Sequence, residues 1–145
     1  MAAAAVGEWR EYTFAVRGRS KNMWWGVAVE APDPCSLATF YSALLDWPIV
    51  QADDNVAIIK PPRDGTYVVF QLAEGYTPPE WPPAEDAQRT MMHLDVDVDD
   101  LESSTADAIA LGARLAEFQP RSHVRVMFDP AGHPFCLCRD DDQPD

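Results

Sequence analysis

His93 heads a strictly alternating run, His93-Leu-Asp-Val-Asp-Val98, that puts His93, Asp95 and Asp97 on one side and Leu94, Val96 and Val98 on the other. An imidazole beside a carboxylate can be oriented by it, can accept a proton as a general base, or can share a cation with it. The same spacing also suits a hydrogen-bonded histidine on a solvated acidic rim, and both readings stand. Cys136 and Cys138 share one face of a second apolar run, Pro134-Phe-Cys-Leu-Cys138. Two thiols there could take a soft metal together, but compact buried fillers are the plainer use and the one favoured. No basic residue adjoins Cys136 in sequence to activate its thiol. His133, after Gly132, reads as the brace of a turn, and Arg125 as a partner for Asp129. Trp24, Tyr67 and Trp81 are candidates for an aromatic pocket wall. There is no glycine-rich phosphate loop and no strand–turn–helix serine elbow.

Elements of regular structure must hold these groups. Residues 24–30 and 91–98 read as strands. Leu37, Phe40, Tyr41, Leu44 and Leu45 recur at helical spacing, with Asp33 as N-cap and Pro34 at the first helical position. A second helix is predicted over residues 100–111, capped by Asp99 and stopped by Gly112. Further strands are predicted near 48–52, 55–60, 66–72, 113–118, 123–128 and 134–138. Residues 73–89 contain Pro78, Pro79, Pro82 and Pro83, which excludes a helix or central strand and makes this a connector. Residues 1–22 read as an extension, with Tyr12, Phe14 and Val16 alternating as a short edge strand, and 139–145 as an acidic, solvated tail.

The 145 residues, 47% of them hydrophobic, suit one domain with a true core at 23–138. A net charge of −13 repels phosphate backbones and anionic headgroups, so neither nucleic acid nor a membrane surface is an expected partner. No apolar run reaches the roughly 20 residues that span a bilayer. Met1–Val6 is too short, and too soon followed by charge, to read as a leader. Three cysteines, an odd number, then point to reduced thiols and a cytoplasmic location.

The order strand, helix, three strands occurs twice, in modules at about 23–72 and 90–138. Residues 26–33 (GVAVEAPD) lie over 93–100 (HLDVDVDD), 67 positions on, and Phe70-Gln-Leu72 over Phe135-Cys-Leu137, 65 positions on. Duplicated βαβββ units of this kind, with residues 31–34 (APDP), 40–45 (FYSALL), 111–113 (LGA) and 125–137 (RVMFDPAGHPFCL), resemble the glyoxalase/bleomycin-resistance/extradiol dioxygenase, or vicinal-oxygen-chelate, superfamily. The likeness spans 23–138 and is nearest its uncharacterised glyoxalase-like branch, through Tyr76, Pro79, Trp81-Pro82 and residues 132–136 (GHPFC).

The resemblance implies an α+β fold of two βαβββ modules forming a cupped, incomplete β-barrel, with helices on the convex side. It also implies a small-molecule ligand and a homodimer. Metal-using relatives bring four ligands into the cup, and the matching positions here are Gly26, Gln71, His93 and Cys136. Glycine offers no donor, glutamine a weak one, and cysteine a soft thiolate in place of the usual carboxylate. The resemblance thus implies a divalent metal, zinc or similar, held by His93, Gln71 and Cys136, while the eroded set predicts weak or absent binding. The expected pocket comprises Trp24, Gly26, Val69, Gln71, His93, Asp95 and Cys136, with His93 and Asp95 as the catalytic candidates. Three functions follow: a lyase, isomerase or dioxygenase-like enzyme using a metal, a metal-free module that binds or sequesters a small molecule, or a metal-free enzyme with His93 as general base.

Overall fold

The computed structural model describes residues 24–63 and 65–139. The N-terminal extension, its edge strand and the acidic tail beyond residue 139 lie outside the described residues. Ten elements follow one another: β1 (Trp25–Ala31), α1 (Pro34–Leu45), β2 (Ile49–Ala52), β3 (Val56–Ile59), β4 (Thr66–Leu72), β5 (Leu94–Asp97), α2 (Leu101–Ala110), β6 (Arg114–Leu115), β7 (Val124–Phe128) and β8 (Pro134–Cys138). They build two open four-stranded sheets, ordered β1-β4-β3-β2 and β5-β8-β7-β6, that do not close into a barrel. In each, the first strand pairs parallel with the last, across a helical crossover, and the other pairs are antiparallel. The duplicated α+β architecture is therefore present in full.

The ladders refine the repeat. Val29 faces Phe70 and Leu94 faces Phe135, a separation of 41 in each module. Both pairs put a phenylalanine into the core, so by register His93 corresponds to Ala28 rather than to Gly26. The 67-residue offset belongs instead to the helix caps. Asp33 accepts from Ser36 N at 3.0 Å, and Asp100 accepts from Ser103 N at 2.8 Å. The second cap is thus Asp100 and not Asp99. The C-terminal module simply has two more residues between strand and cap. The helix ends follow their residues as well: Asp46 closes α1 at φ 54°, and Gly112 follows α2 at φ 113°, a conformation in which a Cβ is strained.

One helix joins the modules. α1 buries Leu37, Ala38, Phe40 and Tyr41, and the Tyr41 ring stacks on Phe70 of its own sheet at 5.4 Å. The same ring meets Phe135 of the other sheet edge-on at 6.0 Å, and Phe40 meets it at 5.9 Å. Phe70 and Phe135 are fully buried, and burial of each side chain contributes about 1.5–3 kcal/mol beyond what the ring pairing adds. A single apolar cluster runs from Ala31 through Tyr41 and Met127 to Leu137. No helix among the described residues is long and apolar enough to cross a membrane.

Candidate functional site

The convergence of polar groups begins on β5 and β8. Asp95 faces Cys136 across the parallel ladder, and His93 precedes β5 by one residue. A ring nitrogen of His93, a carboxylate oxygen of Asp95 and Cys136 Sγ all lie within 4.8 Å of one another, and His93 Nε2 sits 3.1 Å from Asp95 Oδ1. The expected strand over 91–98 is shorter than its alternation suggests. Met91 and Met92 lie outside β5 and are 88% and 75% exposed, with no ladder partner among the described residues. His93 and Asp95 keep roughly half or more of their side-chain surface in solvent.

The Cys136 thiol is pushed up to about 11, first by burial and then by the carboxylate of Asp95 and the neighbouring Cys138. Cys138 is raised by burial and by the carboxylates of Asp95 and Asp97. A thiol that keeps its proton at neutral pH is a poor nucleophile and a poor ligand until it is deprotonated. Alkylation of Cys136 by iodoacetamide near neutral pH is therefore expected to run roughly a hundredfold slower than for an unhindered cysteine. Peptide mass spectrometry over a time course reads this, and modification at the rate of free cysteine would contradict the assignment.

The remaining sequence candidates lie elsewhere. The space that a Gly26 side chain would need is filled by Tyr67, whose ring carbon would come within 2.2 Å of a Cβ built there. Gln71 is exposed on β4 opposite Glu30, and Val69 faces Ala28. Trp24 is 49% exposed and carries Lys60 Nζ 3.4 Å above its ring. Arg125 donates to the carbonyls of Ser122 and Val124, not to Asp129. The four-residue metal set implied by the resemblance does not fit: position 26 has neither donor nor room, and the register equivalent of His93 is Ala28, which has no donor either.

A cavity of about 250 Å3 opens where the two modules meet. His93 is the one sequence-predicted pocket residue in its wall. Ala28 and Glu30 of β1 line one side, and Thr90, Met91 and Met92 of the connector's end line another. Tyr41, Tyr76 and His133 close it. Mostly apolar walls with a few convergent polar groups are the usual make-up of a small-molecule site. Thr90 Oγ1, in that wall, is buried with no hydrogen-bond partner.

Behind the cavity lies a buried polar hub. Asp129, 3% exposed, accepts from Tyr41 OH at 2.8 Å, from the amides of Ala131 and His133 at 2.9 and 3.0 Å, and from His133 Nδ1 at 2.9 Å. Tyr76 OH is 2.9 Å from the Ala131 carbonyl and 3.2 Å from His133 Nε2. Burial and the charges of Asp129 and Glu30 push the Tyr76 phenol up to about 12, and Tyr41 is raised too, chiefly by burial. Reading His133 as a turn brace anticipated part of this hub. Tyr76, 57 residues away, is marked in the sequence only by the family resemblance of the Pro-rich connector, which gives it no role in such a hub.

The fold and this junction define a class, and comparison with known proteins agrees. A family model for the glyoxalase-like domain matches residues 26–138, so the chain belongs to the glyoxalase-like family within the vicinal-oxygen-chelate superfamily. No curated protein matches significantly. Among solved structures, a glyoxalase/bleomycin resistance protein/dioxygenase family enzyme from Burkholderia phytofirmans superposes with a TM-score of 0.60 at 16% identity, covering 79% of this chain and 95% of its own. A genomically encoded fosfomycin resistance protein from Listeria monocytogenes gives 0.58 at 13%, covering 79% and 87%. Lactoylglutathione lyase from Agrobacterium tumefaciens gives 0.51 at 13%, covering 79% and 90%. At such identities the likeness is one of fold.

Proposed function

We propose that this protein holds a small organic molecule in the cavity between its modules, beside His93, with the family's metal centre degenerate. The observation that carries this reading is the double role of His93. It lines the cavity and is also oriented by Asp95 at 3.1 Å. Binding or sequestration is the form best supported, because the walls are largely apolar and the implied ligand set lacks a donor at 26. Asp95 favours a second form, in which His93 is a general base of a metal-free lyase- or isomerase-like reaction on the bound molecule. A resistance protein and a lyase both occur among proteins of this fold.

The metal half of the proposal has a direct test. Purified protein, dialysed and analysed for zinc, nickel, manganese and iron, is expected to retain well under one equivalent in total, unchanged by His93→Ala. Stoichiometric metal that survives dialysis and disappears in the variant would restore the metal-dependent enzyme. A homodimer belongs to the proposal by family expectation, with exposed apolar groups such as Trp25 and Val50 available to a second copy. Sedimentation at the mass of one chain would remove it.

A further inference from the structure

We infer that the cavity between the modules recognises a small organic cation, an ammonium carried on an apolar or aromatic body. This rests on the reading that the cavity holds a small molecule, and adds the chemistry of that molecule. The geometry at the hub is the starting point. Asp129, an acceptor-only carboxylate, accepts a hydrogen bond from His133 Nδ1–H, so in the neutral imidazole Nε2 presents a lone pair. The Tyr76 hydroxyl has one proton and two acceptors in reach, and the nearer is the Ala131 carbonyl at 2.9 Å. With the proton there, Tyr76 Oη and His133 Nε2 are two acceptors 3.2 Å apart in the wall of a cavity, with no donor between them. A group with several N–H bonds satisfies both at once. An ammonium does this, and a carbonyl or carboxylate cannot.

The surroundings agree. Glu30 lines the same cavity and has no ion-pair partner among the described residues. The Tyr76 phenol is raised first by burial and then by the negative charges of Asp129 and Glu30. Arg89 is the arginine in the wall, on the connector. Tyr76 adds an aromatic ring to the wall, which suits a cation, and a net charge of −13 draws cations towards the molecule.

Three probes with one body separate the possibilities: 2-phenylethylammonium, 2-phenylethanol and phenylacetate, titrated calorimetrically into the full chain at neutral pH and physiological salt. The ammonium is expected to bind at least about tenfold more tightly than the alcohol, and phenylacetate more weakly than either. Glu30→Gln, an exposed and isosteric change, is expected to bring the ammonium to within about threefold of the alcohol. Tyr76→Phe is expected to weaken the ammonium more than the alcohol. Equal binding of alcohol and ammonium, or tightest binding of phenylacetate, overturns the cation inference and leaves the pocket standing. An ammonium preference that survives both substitutions assigns it to net charge and also overturns the inference. No binding of any probe sinks the pocket reading itself.

Discussion

Asp129→Ala is expected to lower folding stability by about 3–5 kcal/mol, the loss typical of removing one partner from a buried charged network. The carboxylate is nearly inaccessible and serves Tyr41, His133 and two backbone amides at once. Alanine would leave a buried phenol and two amides without acceptors, each an uncompensated desolvation. Because Tyr41 also stacks on Phe70 and abuts Phe135, the hub ties the β7–β8 turn to the helix that joins the modules. Tyr41→Phe keeps the ring and removes only the hydroxyl, so its expected loss is smaller, about 1–3 kcal/mol. The double variant should cost less than the sum of the two, since both remove one hydrogen bond. Urea denaturation of the three variants measures this. A loss under about 1 kcal/mol for Asp129→Ala would show that the hub does not hold the junction.

The second large effect concerns ligand. His93→Ala is expected to reduce affinity for 2-phenylethanol and 2-phenylethylammonium by about tenfold or more, while changing stability by no more than about 0.5 kcal/mol. The contrast follows from position. His93 is about half exposed, outside the hydrophobic cluster, and its only side-chain partner among the hydrogen bonds and ion pairs described is the still more exposed Asp95. Asp95→Asn should preserve binding better than His93→Ala if the carboxylate only orients the ring. Unchanged affinity in His93→Ala would move the ligand away from the rim that His93 forms.

Local signals made the scaffold legible. The Asp33-Pro34 start and the spacing of Leu37, Phe40 and Tyr41 define a helix on their own. The boundaries of β4 and β8 coincide with their apolar runs. Boundaries shift by a residue or a few where a local cue is ambiguous. Asp99 and Asp100 are adjacent candidates for one cap, and the alternation of Met91 to Val98 continues past the point where a partner strand ends. The face shared by His93, Asp95 and Cys136 was also readable, since strand alternation and parallel pairing need no tertiary information.

The cavity was not readable in the same way. Its walls come from β1, α1, the connector and the β7–β8 turn, and the connector residues Tyr76 and Thr90–Met92 lie in a stretch without periodicity. What places them is the packing of one module on the other, set by contacts such as Tyr41 with Asp129, 88 residues apart. Gly26 illustrates the same limit. A glycine on a strand could mark a vacated ligand position, but here it makes room for the ring of its ladder partner Tyr67.

Methionine methyl NMR tests the central claim most directly, because Met91 and Met92 stand in the cavity wall while Met127 is fully buried in the core. Titration of 13C-methyl-methionine protein with 2-phenylethylammonium, and separately with 2-phenylethanol, should shift the Met91 and Met92 signals to saturation. The Met127 signal should hardly move, and His93→Ala should blunt the response. Met91 and Met92 signals that stay fixed while both probes bind would contradict a small-molecule site at the module junction.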